Sequence, residues 1–120
     1  PPLGWQSGNN DESHRVVVNH IAKRTFDEEL PLILVGDFNM TSVFEEYELL
    51  NSRFTDSFRA AGDGIGYTYP NDKYRPLSRI LRLDYIWHSD DFQSIESTVW
   101  EEHGQSDHSP VVSTLLMTTD

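Results

Sequence analysis

The stretch Pro31-Leu32-Ile33-Leu34-Val35-Gly36 limits what this chain can fold into more than any other. Four consecutive apolar residues between a proline and a glycine are too short for a helix. They read as a strand buried on both faces. Just ahead, Val17, Val18, Ile21, Ala22 and Phe26 recur at helical spacing, and Asn10 and Asp11 are good caps, so a helix is predicted over 12–27. After Gly36, Thr41 or Ser42 can cap a shorter helix carrying Phe44, Tyr47, Leu49 and Leu50. Four further strands are predicted over 67–69, 82–88, 95–101 and 111–117, where β-branched and aromatic residues gather between polar loops. The order helix, strand, helix, then strands suits an α+β or layered α/β arrangement with mixed sheets.

Composition narrows the function. The chain has 120 residues, enough for one compact domain, and three Trp, five Tyr and six Phe to fill one core. It has no cysteine, which excludes disulfides, thiolate zinc sites and a cysteine nucleophile. The longest apolar stretch, 30–35, is six residues even with its proline counted. A membrane-spanning helix needs roughly 20, so no transmembrane segment is expected in this piece. No signal peptide is visible. A start at Pro1-Pro2-Leu3 without an initiator Met reads as a piece of a longer protein, so localisation stays open, upstream targeting signals or anchors included. Nine Lys plus Arg face twenty Asp plus Glu, a formal charge of −11. Such a chain repels nucleic acid at long range. A phosphate substrate would need a bound cation or a local cluster of arginines.

Three short motifs carry candidate chemistry. In Gly36-Asp37-Phe38-Asn39, at the end of the apolar strand, alternation places Asp37 and Asn39 on one side and Phe38 on the other. A carboxylate that can take a proton or hold a metal then sits beside an amide that can donate to a charged oxygen. The other reading is a turn in which Asp and Asn satisfy backbone groups. In Arg82-Leu83-Asp84-Tyr85-Ile86-Trp87 an acid sits inside a strand, a poor place for Asp unless it has a partner. That partner is a structural arginine such as Arg82, or a catalytic group. In Ser106-Asp107-His108-Ser109-Pro110 the acid can bind a metal and the imidazole can move a proton. Neighbours on extended backbone point opposite ways, so Asp107 is a poor candidate to orient His108, and Asp84 is the natural one. A satisfied surface histidine is the other reading of His108.

Taken in this order, the three motifs, with Thr68-Tyr69-Pro70 ahead of the second, closely resemble the C-terminal half of the endonuclease/exonuclease/phosphatase superfamily. That group includes pancreatic-type deoxyribonucleases, abasic-site endonucleases, neutral sphingomyelinases and inositol-polyphosphate 5-phosphatases. The resemblance runs from about Pro1 to Met117. It implies a layered α/β/β/α fold, half or most of a two-sheet β-sandwich flanked by helices. Residues 1–120 would be the C-terminal portion of one such domain, with the N-terminal portion absent. It implies a divalent-metal-dependent hydrolase of phosphate esters. Asp37 and Asn39 would contact the attacked phosphate or its water, Asp84 would orient His108, and Asp107 with Asp37 would help hold Mg²⁺, or Mn²⁺ in its place. Either Asp37 or His108 could be the general base; His108 is taken as the proton-transfer group.

The resemblance also places an Asn and the principal metal-binding Glu in the first half of such a domain, ahead of Pro1. The isolated chain is therefore expected to bind Mg²⁺ weakly and to hydrolyse little. It is expected to expose apolar sheet that pairs with the missing half or with a second copy of itself. A catalytically inactive binding or assembly module with the same fold is the alternative. Lys73, Arg75, Arg79 and Arg82 form a basic window before Asp84, and Arg79 from that window, together with Asn39 and His108, would bind substrate phosphate. Arg82 could instead form a buried ion pair. Tyr74 in that window could stack on a base. Trp5, Trp87 and Trp100 read as core or sheet-face residues, and His14, His20, His88 and His103 as ordinary surface or helix residues. The sequence does not separate DNA, a lipid headgroup and a small phosphoester as substrate.

Overall fold

A computed structural model describes residues 7–41, 44–64, 66–68, 82–100 and 105–118, with side chains from residue 15 onward. The elements run α1 (Ser7–Thr25), β1 (Ile33–Asp37), α2 (Glu45–Asn51), β2 (Thr55–Asp56), α3 (Ser57–Ala61), β3 (Asp84–His88), β4 (Phe92–Val99) and β5 (Val111–Met117). They form two sheets, one ordered β1-β3-β2 and one β4-β5. Among the described residues every strand pair is antiparallel, and parallel pairing is confined to an isolated bridge between Gly62 and Ser97. This is the α+β architecture expected, with α1 and α2 packed on one face of the first sheet. Among the described residues no helix is long and apolar enough to cross a membrane.

The core lies between α1, α2 and the first sheet. Antiparallel partners share a face, so Leu34, opposite Trp87, and Gly36, opposite Tyr85, point toward the helices. Trp87 is fully buried, its ring tilted against Tyr47 at 5.2 Å and stacked on Tyr85 at 5.6 Å. Val18 and Ala22 of α1 and Leu50 of α2 close around them. Each such side chain contributes about 1.5–3 kcal/mol by leaving water. The second sheet is joined to the first through α3. Ser57 donates to Ser113 at 2.8 Å, and Ser113 meets Ser97 at 2.7 Å, a short polar chain from α3 into β5 and β4.

Several expectations need correction. Helix α1 starts earlier, at Ser7, because Gly8, Asn9 and Asn10 lower helix propensity without forbidding it. The apolar strand is not buried on both faces: Val35 is 66 % and Ile33 45 % exposed on the side away from the helices. β1 is also an edge of its sheet among the described residues. Strand β3 begins at Asp84, since the N–H groups of Leu83 and Asp84 go to the Thr68 hydroxyl, not into the ladder. Residues 67 and 68 are not in a strand. β4 spans 92–99, not 95–101, with a bulge between Ser94 and Glu96 that leaves Ile95 half exposed. Trp100 lies beyond the strand end and is 55 % exposed, not part of a core. His88, expected at the surface, is buried in β3 between the Ser89 carbonyl and the Ser94 hydroxyl. Its alternating strand position carries no polarity signal that distinguishes it from a solvated residue.

Candidate active site

Asp37 ends β1 and Asp84 begins β3, and the two stand directly opposite each other across the antiparallel pair. Like charges in that position repel. Glycine makes the approach possible: Gly36 has φ +147°, a backbone conformation that side-chain-bearing residues rarely adopt. Phe38 turns the other way and is buried, edge-on to Tyr85 at 6.1 Å.

His108 enters between the two acids from the loop ahead of β5. Its Nδ1 lies 2.6 Å from Asp84 Oδ2, and its Nε2 lies 3.6 Å from Asp37 Oδ2. The first is a short charge-assisted hydrogen bond. The second is close enough for Coulomb attraction and too long for a hydrogen bond. The loop is held in place by the Ser106 hydroxyl, which accepts the His108 N–H at 3.0 Å. Partial burial pulls the imidazole pKa down. The Asp84 hydrogen bond and the charges of Asp84, Asp37 and Asp107 outweigh it, and the pKa ends above the ordinary histidine value. Ligand atoms of Asp37, Asp84 and His108 all lie within 4.8 Å of one another. A cleft of about 510 Å³ between the two sheets opens onto this cluster, lined by Val35, Ile86, Ser106 and Val111 among others.

The other expected site residues fall elsewhere. Asn39 does not continue the strand alternation: it has φ +52°, and its N–H donates to Asp37 Oδ1 at 2.8 Å. Residues 37–39 thus form the Asp-centred turn that was the alternative reading of this motif. Asp107 is exposed and outside the three-residue cluster, acting on His108 through its charge. Arg79, with Lys73, Tyr74 and Arg75, lies outside the described residues, as do Trp5, the His14 side chain and His103. Arg82 does not face the cleft. It clamps the carboxylate of Asp56 with both terminal nitrogens, at 3.1 and 2.5 Å, and stacks over Tyr85. Tyr47 donates to the same carboxylate at 2.8 Å. Asp56 stands out in the sequence only as an acid between Phe54 and Phe58, with Thr55 and Ser57 beside it.

Residues 2–108 match the sequence model of the Endonuclease/Exonuclease/phosphatase family. The chain belongs to that family. Solved structures of similar fold include a conserved protein of unknown function from Enterococcus faecalis V583, with 24 % identity and a TM-score of 0.76, covering 88 % of this chain and 45 % of that one. An endonuclease/exonuclease/phosphatase from Bacteroides vulgatus gives 22 % and 0.73, over 88 % and 44 %. The mannosyl-6-phosphatase of Bacteroides thetaiotaomicron VPI-5482 gives 25 % and 0.66, over 88 % and 45 %. The chain thus spans a little under half the length of these solved structures. No curated protein matches it.

Proposed function

We propose that this chain carries the proton-handling half of the active site of a divalent-metal-dependent phosphoesterase. One observation supports the reading above the others: His108 bridges two carboxylates that would otherwise repel each other, with Nδ1 on Asp84 and Nε2 facing Asp37. Asp84 fixes the tautomer with hydrogen on Nδ1 and stabilises the charged ring. The lone pair on Nε2 then takes a proton from a water held between His108 and Asp37. The water oxygen forms its bond to phosphorus, the ester P–O bond breaks, and the leaving oxygen departs with the electron pair. The imidazolium left behind sits between two negative groups. Asp37 orients the water, and Asn39 and Arg79 contact the phosphate oxygens.

The donor set fits a hard cation in part. Asp84 Oδ2 is taken by His108, and Asp37 Oδ1 by the Asn39 N–H. The Asp37 and Asp107 carboxylates are of the oxygen type that Mg²⁺ and Mn²⁺ prefer. These two residues would hold the ion, which supplies charge neutralisation at the phosphate and its leaving oxygen. Two ligands make a weak site, so Mn²⁺ added to the chain should broaden the NMR signals of residues 37 and 107 only at millimolar concentration. Broadening centred elsewhere would remove them as ligands.

The same reading supplies a partner. Val17 on α1, Ile33 and Val35 on β1, and Val112 and Leu116 on β5 are exposed apolar groups. The remainder of the domain, or a second copy, would cover part of this area. A monodisperse monomer in sedimentation would count against it. The test of function is hydrolysis by the complete polypeptide carrying this chain, with Mg²⁺, of bis-p-nitrophenyl phosphate, plasmid DNA, sphingomyelin and a sugar phosphate, the last suggested by the mannosyl-6-phosphatase of similar fold. His108→Ala serves as control. Activity unchanged in that variant would sink the assignment, and no activity on any substrate would favour the binding or assembly module.

A further inference from the structure

Thr68 bonds to the two segments that carry Asp84 and His108, yet it contributes no group to the cluster itself. It is 1 % exposed. Its hydroxyl oxygen accepts the N–H of Leu83 at 3.0 Å and of Asp84 at 3.2 Å. Its carbonyl accepts the N–H of Ser109, the residue after His108, at 2.8 Å. Leu83 in turn accepts the Phe38 N–H at 3.0 Å, which ties in the turn at Asp37. Asp84 begins β3 and His108 lies in the loop ahead of β5, and among the described residues no ladder joins the two strands and fixes their separation. A hydrogen bond of 2.6 Å between them tolerates little slack.

We propose, on the reading of the site given above, that Thr68 is a positioning residue that sets the distance between the Asp84 and His108 backbones. Its side chain holds one and its carbonyl holds the other, so a single residue spans the gap. A hydroxyl is required because two N–H groups converge on one acceptor. Valine has the same shape and leaves both donors without it. Serine keeps the acceptor and loses only a methyl group.

The experiment compares Thr68→Val and Thr68→Ser by two readouts. In the 120-residue chain, the proton on His108 Nδ1 should give a strongly deshielded NMR signal from its short bond to Asp84. That signal should vanish or move upfield in Thr68→Val and persist in Thr68→Ser. In the complete polypeptide, kcat should fall about 10–100-fold in Thr68→Val, with KM within about twofold, and should recover in Thr68→Ser. If Thr68→Val unfolds more easily but keeps the signal and kcat, Thr68 is merely structural and the proposal is overturned. If Thr68→Val does not fold, hydrogen exchange in the unaltered chain decides: the Leu83, Asp84 and Ser109 amides should be as protected as Trp87, and a fast Ser109 amide overturns the bridge. An unaltered protein inactive on every phosphoester would defeat the functional reading alone, since the imidazole signal still judges the bridge.

Discussion

The buried pair Asp56–Arg82 offers a test of the fold that does not depend on any activity. The Asp56 side chain is 1 % exposed and that of Arg82 14 %. Burial works against the guanidinium charge, but the Asp56 hydrogen bonds and charge outweigh it, and its pKa is raised. Asp56→Ala leaves that cation in the interior with no counter-charge, which costs about 3–5 kcal/mol. The Tyr47 hydroxyl loses its acceptor as well, a further penalty of the order of 1–3 kcal/mol if no water reaches it. A domain of this size has roughly 5–15 kcal/mol in total. At about 2 kcal/mol per molar of urea, the midpoint should therefore drop by about 2 M.

Arg82→Met alone strands the carboxylate and should cost a similar amount. The double variant removes both charges together, so it should lose about 1–3 kcal/mol less than the sum of the singles. Equilibrium urea denaturation of all four proteins, followed by tryptophan fluorescence, reads the cycle directly, since Trp87 lies in the adjoining core. Strictly additive losses, or a midpoint shift under about 0.5 M for Asp56→Ala, would mean that water reaches the pair and that the burial argument is wrong.

Three further outcomes are expected. Gly36→Ala should destabilise by about 1–3 kcal/mol in thermal unfolding, although an added methyl meets nothing within 4 Å, because the cost lies in the positive φ and not in crowding. Asp84→Asn should cut kcat by about 10²–10⁴-fold. A base must be neutral to act, so activity should rise with pH through the raised His108 pKa, and the Asn variant should move that rise to lower pH; an unmoved rise would deny His108 the role. Asp37→Asn should stabilise the chain by about 0.2–1 kcal/mol at pH above the His108 titration, where two carboxylates face each other unbridged. Below it the gain should shrink or reverse: a raised pKa stabilises the fold below about 6.5 and loses that effect as pH climbs past the folded value, and Asp37 helps raise it. Equal effects in urea melts at both pH values would contradict this.

What could be read from the sequence followed from local rules. The α1 face was visible because Val18 and Ala22 recur at helical spacing, and Trp87 belongs to the core because strand alternation puts it beside Tyr85. The Asp84–His108 approach was legible by elimination, since Asp107 cannot turn back onto its own neighbour. The roles of Asp56 and Thr68 were not legible, because each depends on partners that only the tertiary fold brings close. Asn39 shows the opposite failure. A period-two pattern was extended past the point where the strand stops, and a local side-chain-to-backbone bond took over. The exposure of Val35 has a similar origin: four apolar residues in a row report that both faces are fit for burial, not that something covers both.

The arrangement at the strand ends argues for chemistry over stability. Two acids in register across a ladder work against the fold, and a protein selected for stability alone has simple remedies, such as a Thr or Asn at either position. Here the repulsion is offset by an imidazole brought in by the loop ahead of β5, and that imidazole owes its orientation to one acid and its raised pKa to both. A structural ion pair has no need of a titratable cation; Arg82 shows how this chain builds one, with a permanently charged guanidinium sealed away from water. At the cleft the chain uses instead the one cation that can give up its proton near neutral pH, leaves it partly exposed, and turns its Nε2 toward the second acid. Groups held apart in this way, against their own electrostatic preference, mark a site where binding or reaction supplies what the empty fold lacks.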